Sequence, residues 1–309
     1  MLKGGYEDMF IADMHCDSLS LVNGERGLLS QYNVSDKGAL QFFACFVPNS
    51  ERTPQQRRRE VMHYLDAYTY ECSRLSLNTV KGVRDLNGIE RLGASALFSI
   101  EGGGGLFSHS EELDVLYKMG LRVMGLCWDS NELASSAWDN FDTGLTEEGK
   151  RMVLRLSEMG IILDVSHMSD KSIYDSLETT SYPILATHSN FREVCASPRN
   201  LTREQASMIV ARGGVIGLNI YPPFLTERDT ATGDDILRHV DYALENFGEN
   251  ALGFGFDIDG TDGIYPDFVR TDRSIHEQVV ELLLSHYSES VVRKIAGENV
   301  LSFLECNLM

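Results

Sequence analysis

The chain has no Cys-x-x-Cys pair. Its six cysteines, Cys16, Cys45, Cys72, Cys127, Cys195 and Cys306, are scattered through 309 residues. That spacing excludes a dense disulfide framework or a zinc ribbon, and it implies free thiols in a reducing compartment. Positive charge is scarce, with 27 lysines and arginines against 46 aspartates and glutamates and a formal net charge of -19. So acidic a surface repels phosphate backbones and anionic lipid, which sets nucleic acid and membranes aside as partners. No apolar run approaches the ~20 residues that span a bilayer. Residues 1–7 lack the basic-then-apolar order of a secretion signal, so a cytoplasmic location is expected. Neither Ser18 nor Ser166 sits in a Gly-x-Ser-x-Gly elbow, so covalent serine chemistry has no support.

A rhythm of short β-rich runs separated by amphipathic stretches is present. The runs are Met9–His15, Gln41–Val47, Ala94–Ile100, Leu121–Cys127, Gly160–Ser166, Pro183–His188, Gly214–Ile220 and Ala251–Phe256. Between them, Thr53–Leu77, Thr146–Gly160 and Asp234–Phe247 read as helices, and Thr202-Arg203-Glu204-Gln205 has the spacing of a capping box. Ser288–Met309 reads as a closing helix and tail. Strands alternating with helices predict a parallel sheet, and eight such units predict closure into a (β/α)8 barrel formed by residues 1–309 as one domain. The doubly wound open sheet is the competitor, but it opens on a glycine-rich phosphate turn. Here Asp13-Met14-His15-Cys16-Asp17 stands at that place.

In a barrel, chemistry gathers at the C-terminal ends of the strands. Those positions carry His15 and Asp17, Glu101, His167, His188 and Asp257. Each alone has a plain reading as a polar turn or a satisfied histidine. In barrel order they are a metal site, because imidazole and carboxylate ligands suit zinc. Glu101 leaves an apolar run straight into Gly102–Gly105, where a solvated surface is a poor explanation. His63, His239, His276 and His286 fall in predicted helices without matching partners and are expected at the surface. His109, in the loop after Glu101, has no supporting partner.

The ordered series resembles the renal, or membrane, dipeptidases of the metal-dependent amidohydrolase superfamily, in their soluble bacterial form. It comprises Asp13–Asp17, Ile100-Glu101-Gly102-Gly103, Leu163-Asp164-Val165-Ser166-His167, His188 with Cys195-Ala196-Ser197-Pro198-Arg199-Asn200, Asn219–Leu225 and Gly253–Gly260. The resemblance covers most of the chain. It implies two Zn²⁺ ions, one held by His15 and Asp17 and the other by His167 and His188, with Glu101 bridging. It further implies that Asp257 handles the proton of a bridging water, that Arg199 binds the terminal carboxylate of a dipeptide, and that Tyr221 lines the same pocket. Tolerance of a D-residue at the C-terminal position follows from the family, and so does the option of a homodimer. Mammalian members carry a histidine after the fourth strand, where this chain has Trp128. Leu126-Cys127-Trp128-Asp129 offers no lysine that could be carboxylated to bridge metals. A lactone or cyclic-amide hydrolase is the alternative, although Arg199 has no task in it. A non-catalytic scaffold would be expected to have lost one of these positions.

Overall fold

A computed structural model describes residues 9–21, 38–49, 52–104, 110–270 and 272–309. Eight parallel strands lie in it: β1 (Ile11–Cys16), β2 (Ala39–Phe46), β3 (Ala94–Glu101), β4 (Leu121–Gly125), β5 (Ile162–Asp164), β6 (Ile184–Leu185), β7 (Ile216–Leu218) and β8 (Leu252–Phe254). Each overlaps one of the β-rich runs. Their spatial order is β6-β5-β4-β3-β2-β1-β8-β7. The circle is completed between β6 and β7 by an Ala186–Ile216 bridge, with Gly217 N–H donating to Ala186 O at 2.7 Å. A two-residue strand, Asn78–Thr79, adds to β3 and had no signal in the sequence.

Helices cover the outside: α1 (Pro54–Arg74), α2 (Ser110–Met119), α3 (Glu147–Met159), α4 (Asp170–Thr179), α5 (Arg203–Ala211), the single turn α6 (Pro222–Leu225), α7 (Gly233–Phe247) and α8 (Ile275–Leu284). Their starts follow the expected chemistry. Thr53 and Thr202 each close a capping box, and the Thr146 hydroxyl accepts from Gly149 N–H, satisfying donors that an open helix end would strand. Among the described residues no helix is long and apolar enough to cross a membrane.

The C-terminal stretch differs from the single closing helix expected. It divides into α9 (Glu289–Arg293), a π-helical turn (Lys294–Glu298) and α10 (Asn299–Asn307). The wide turn lodges Gly297 against β1, where any Cβ would run into Phe10 and the backbone of Ala12. From there α10 sends Val300, Phe303 and Leu304 into a cluster with Ala12, Met14, Leu40, Phe42, Leu97 and Leu185, plugging the barrel floor. A larger cluster fills the layer between strands and helices.

These two clusters report which way each strand residue faces. In β1, Ala12 and Met14, like Phe10 just before it, belong to the floor cluster and Ile11 to the helix-facing one, yet Cys16 is helix-facing too. The parity flips because the β1–β2 register slips between Asp13 and Cys16: Asp13 pairs Gln41, but Cys16 pairs Phe43. One extra residue is thereby inserted, and a bulge of this kind re-aims side chains at a barrel rim. It turns His15 and Asp17 toward the bore.

Candidate metal centre

The five ligand-type residues converge at the C-terminal rim, all buried. His167 Nε2 lies 2.7 Å and His188 Nε2 3.3 Å from Glu101 Oε1. The two imidazole nitrogens are themselves 2.8 Å apart. On the other side His15 Nε2 is 3.4 Å from Asp17 Oδ2 and 3.8 Å from both Glu101 Oε2 and Asp257 Oδ1. Two ligand groupings therefore share one residue: His15, Asp17 and Glu101 form the first, and Glu101, His167 and His188 the second. His15, His188 and Asp257 form a third between them.

The donor set fits cations better than it fits itself. His15 Nε2, Asp17 Oδ1 and Glu101 Oε1 are buried polar atoms without a hydrogen-bond partner. Glu101 Oε1 is close to His167 Nε2, but the contact is not aligned as a hydrogen bond. Orphaned atoms of this kind are costly in a protein interior unless something binds them.

Electrostatics agree. Burial alone would push the His15 imidazole down, but Glu101, Asp17 and Asp257 overrule it and raise its pKa to about 10. Burial pushes the Asp17 carboxyl up to about 7, with His15 opposing. Glu101 is held well below the usual carboxylate range by His167, His15 and His188, against its own burial. Burial and the Arg199 guanidinium lower His167 to about 4, and burial with His15 lowers His188. Three carboxylates thus face a pocket short of positive charge, the demand that divalent ions meet.

Asp257 stands beside this cluster at the end of β8. Its Oδ2 accepts Asn219 Nδ2–H at 3.0 Å, while Oδ1 faces His15. The Asn219 amide is fixed in this sense because its own Oδ1 accepts Tyr221 N–H at 2.7 Å.

Arg199 is 4% exposed, and among the described residues no carboxylate forms an ion pair with it. One Nη2 donates to His188 O at 3.4 Å, Nε has no partner, and the guanidinium lies 5.3 Å from the Phe224 ring. Tyr221 meets the same ring edge-on at 5.0 Å. Trp128 is half-buried, edge-on to Phe46 at 5.1 Å and 6.0 Å from the His167 ring. Its loop continues to Ala137, whose N–H donates to His167 O, and places Trp138 6.1 Å from Phe224. Trp138 and Phe224 thus border the pocket; Phe224 falls within the Asn219–Leu225 stretch, whereas no residue pattern marked Trp138 in the sequence.

Two histidines correct the expectation of a surface position. His239 is buried on the inner face of α7, accepting Phe191 N–H at Nδ1 and reaching Leu225 O with Nε2 at 3.2 Å. His276, in the first turn of α8, is buried with Nε2 2.7 Å from Asp13 Oδ2. Asp13 Oδ1 in turn accepts the N–H groups of His15 and Phe256, tying β1 to β8 directly beneath His15 and Asp257. His63 and His286 are exposed as expected, and His109 lies outside the described residues.

The model of the membrane dipeptidase family, peptidase family M19, matches residues 29–306. The chain belongs to this family. It is a dipeptidase-family metallopeptidase, metal-dependent and acting on peptides. A Klebsiella pneumoniae protein, described as uncharacterized and encoded in the pqqA 5' region, is 33% identical over 217 residues, 67% of this chain and 79% of that one. Dipeptidase tcpJ of Claviceps purpurea is 28% identical over 301 residues, 94% of this chain and 68% of its own length. A metallopeptidase from Rhodobacter sphaeroides, solved with a phosphinate mimic of the dipeptide L-Ala-D-Ala, superposes with a TM-score of 0.84. Its identity is 22%, covering 97% of this chain and 99% of that one, and the likeness shows the fold.

Proposed function

We propose that residues 1–309 work as one unit that hydrolyses dipeptides at a pair of zinc ions, tolerating a D-residue at the C-terminal position. His15 and Asp17 would hold one ion, His167 and His188 the other, and Glu101 both. When bound, such ions supply Lewis acidity, activating water near neutral pH and polarising an amide carbonyl. The remaining work falls to the chain. Asp257 takes a proton at Oδ1, the oxygen that Asn219 leaves open, and passes it to the leaving nitrogen. Arg199 fixes the substrate's terminal carboxylate, and Tyr221 and Trp128 line the pocket.

The observation that carries this reading is Arg199. A guanidinium buried beside His188 without an acidic partner is a costly arrangement. A substrate carboxylate would relieve it with a charge-assisted pair. Lactone or cyclic-amide hydrolysis gives that residue nothing to do. Support for the D-residue comes from the L-Ala-D-Ala mimic held by the Rhodobacter sphaeroides relative; an anchor on the carboxylate leaves that α-carbon's configuration less constrained.

The test compares an L-L dipeptide, its L-D partner and the same dipeptide amidated at its C-terminus. Both free acids should be cleaved, and amidation should lower kcat/KM by about tenfold or more, the loss of a charge-assisted contact of ~1.5–3 kcal/mol. Equal turnover of the amide would remove Arg199 from recognition and the dipeptide preference with it.

A further inference from the structure

Beneath the ligand atoms, the bore holds a buried carboxylate to which the hydrolytic reading assigns no task. Asp164, at the end of β5, accepts the N–H groups of Ser166 at 3.0 Å and Thr187 at 2.9 Å on Oδ1. Its Oδ2 accepts the Thr187 hydroxyl at 2.5 Å. The same Thr187 Oγ1 lies 2.8 Å from Nδ1 of His188.

A hydroxyl has one proton to give. With that proton committed to Asp164, Thr187 Oγ1 faces His188 only as an acceptor. The proton of the neutral imidazole is therefore drawn to Nδ1, and Nε2 keeps its lone pair. Nε2 is the atom that faces Glu101 Oε1 and His167 Nε2. The neighbouring imidazole has no such support, since His167 Nδ1 is without a hydrogen-bond partner. Gly217 in β7 and Gly255 just beyond β8 make the arrangement possible, because a Cβ at either would be driven into the Thr187 carbonyl.

We propose that Thr187 is a positioning residue, and that the Asp164–Thr187 relay fixes the tautomer and aim of His188 so that Nε2 is presented to a zinc ion. The proposal rests on the reading of His188 as a ligand. Partners of this kind behind a ligating histidine typically change metal affinity 10–100-fold when removed.

The experiment titrates metal-stripped enzyme with zinc alone in competition with a chromophoric chelator. Thr187→Val keeps the shape and deletes the hydroxyl; its zinc affinity should fall by about 10–100-fold. Thr187→Ser keeps the hydroxyl and deletes only the methyl, so its affinity should stay within a few-fold of the parent. Asp164→Asn is the second route, useful if the valine variant folds poorly. Its amide can donate to Thr187, which frees the hydroxyl proton for Nδ1 and protonates Nε2 instead, so zinc should again bind more weakly. Parent-like affinity in Thr187→Val or Asp164→Asn, or a serine variant as weak as the valine one, would overturn the relay. His188→Ala separates this from the underlying reading. If it binds zinc with parental stoichiometry, His188 is not a ligand; if it loses an ion while Thr187→Val does not, only the relay falls.

Discussion

His167 and Asp257 have φ angles of 70° and 61°, in the left-handed region that non-glycine residues seldom occupy. Such conformations cost of order 1–3 kcal/mol each and persist where the surroundings dictate them. Here they turn the chain at the ends of two strands so that both side chains face the centre. Asparagine tolerates this region as well as aspartate does. Asp257→Asn should therefore keep its fold and its metal while kcat falls roughly 10²–10⁴-fold, the usual worth of a proton-transfer group. Full activity, or loss of metal in elemental analysis, would show that the residue serves another end. Glu101→Gln should behave differently, costing both ions, because one side chain serves both groupings. Retention of a single ion at parental affinity would deny it that shared position. The candidate ligands were legible in sequence because each ends or follows a β-rich run. Their supports were not. Asp13 finds His276 263 residues away, Asp164 finds Thr187 23 residues away, and Asn219 finds Asp257 38 residues away, and no local pattern encodes such meetings.

At the level of elements, the sequence marked helix starts well because a cap is a local bargain between a hydroxyl and a nearby N–H. Strand lengths were read too long everywhere except at β2 and β3. The β-rich runs continue past the last ladder pairs, but near the rim Asp164 takes the N–H groups of Ser166 and Thr187, and side-chain bonds replace backbone pairing. The burial of His239 was missed for a related reason: α7 is amphipathic, and a histidine on its inner face is satisfied by the loop ends at Phe191 and Leu225. That burial has a consequence for pH. His239 is pushed down to about 4 by burial, so the folded protein binds its proton less well than the unfolded chain. Its contribution is complete above the unfolded pKa of about 6.5 and is lost as pH falls from there toward 4. Between pH 7 and pH 5 the loss is about 2 kcal/mol for this one group. Urea denaturation of His239→Gln should accordingly lose less stability than the parent over that interval. Parallel losses would show that the ring is protonated in the native state.

For the whole molecule, the alternation of strand and helix was enough to read a barrel, because a parallel sheet needs a crossover between strands and eight units can close. What the alternation could not reveal was how the circle is sealed. β1 lies between β2 and β8, and Asp13 bonds both His15 in its own strand and Phe256 beyond β8. The floor is plugged by α10, the last helix in the chain. These are long-range pairings, which must overcome loop-closure entropy before they stabilise anything.

That wiring sets an order in time. On the ribosome, His15 and Asp17 emerge early, as do Glu101 and then His167 and His188, so every candidate ligand is made before β8 exists. Yet the strand that carries His15 has its second neighbour in β8, and its lock in His276 comes later still. A nascent chain thus holds all five candidate ligands for a period without the frame that aims them. Chains halted before Leu252 should remain open to protease whether or not zinc is supplied, whereas the released chain should gain protection when zinc is added. Zinc-dependent protection of the halted chains would mean that the first strands can build the centre without the last one.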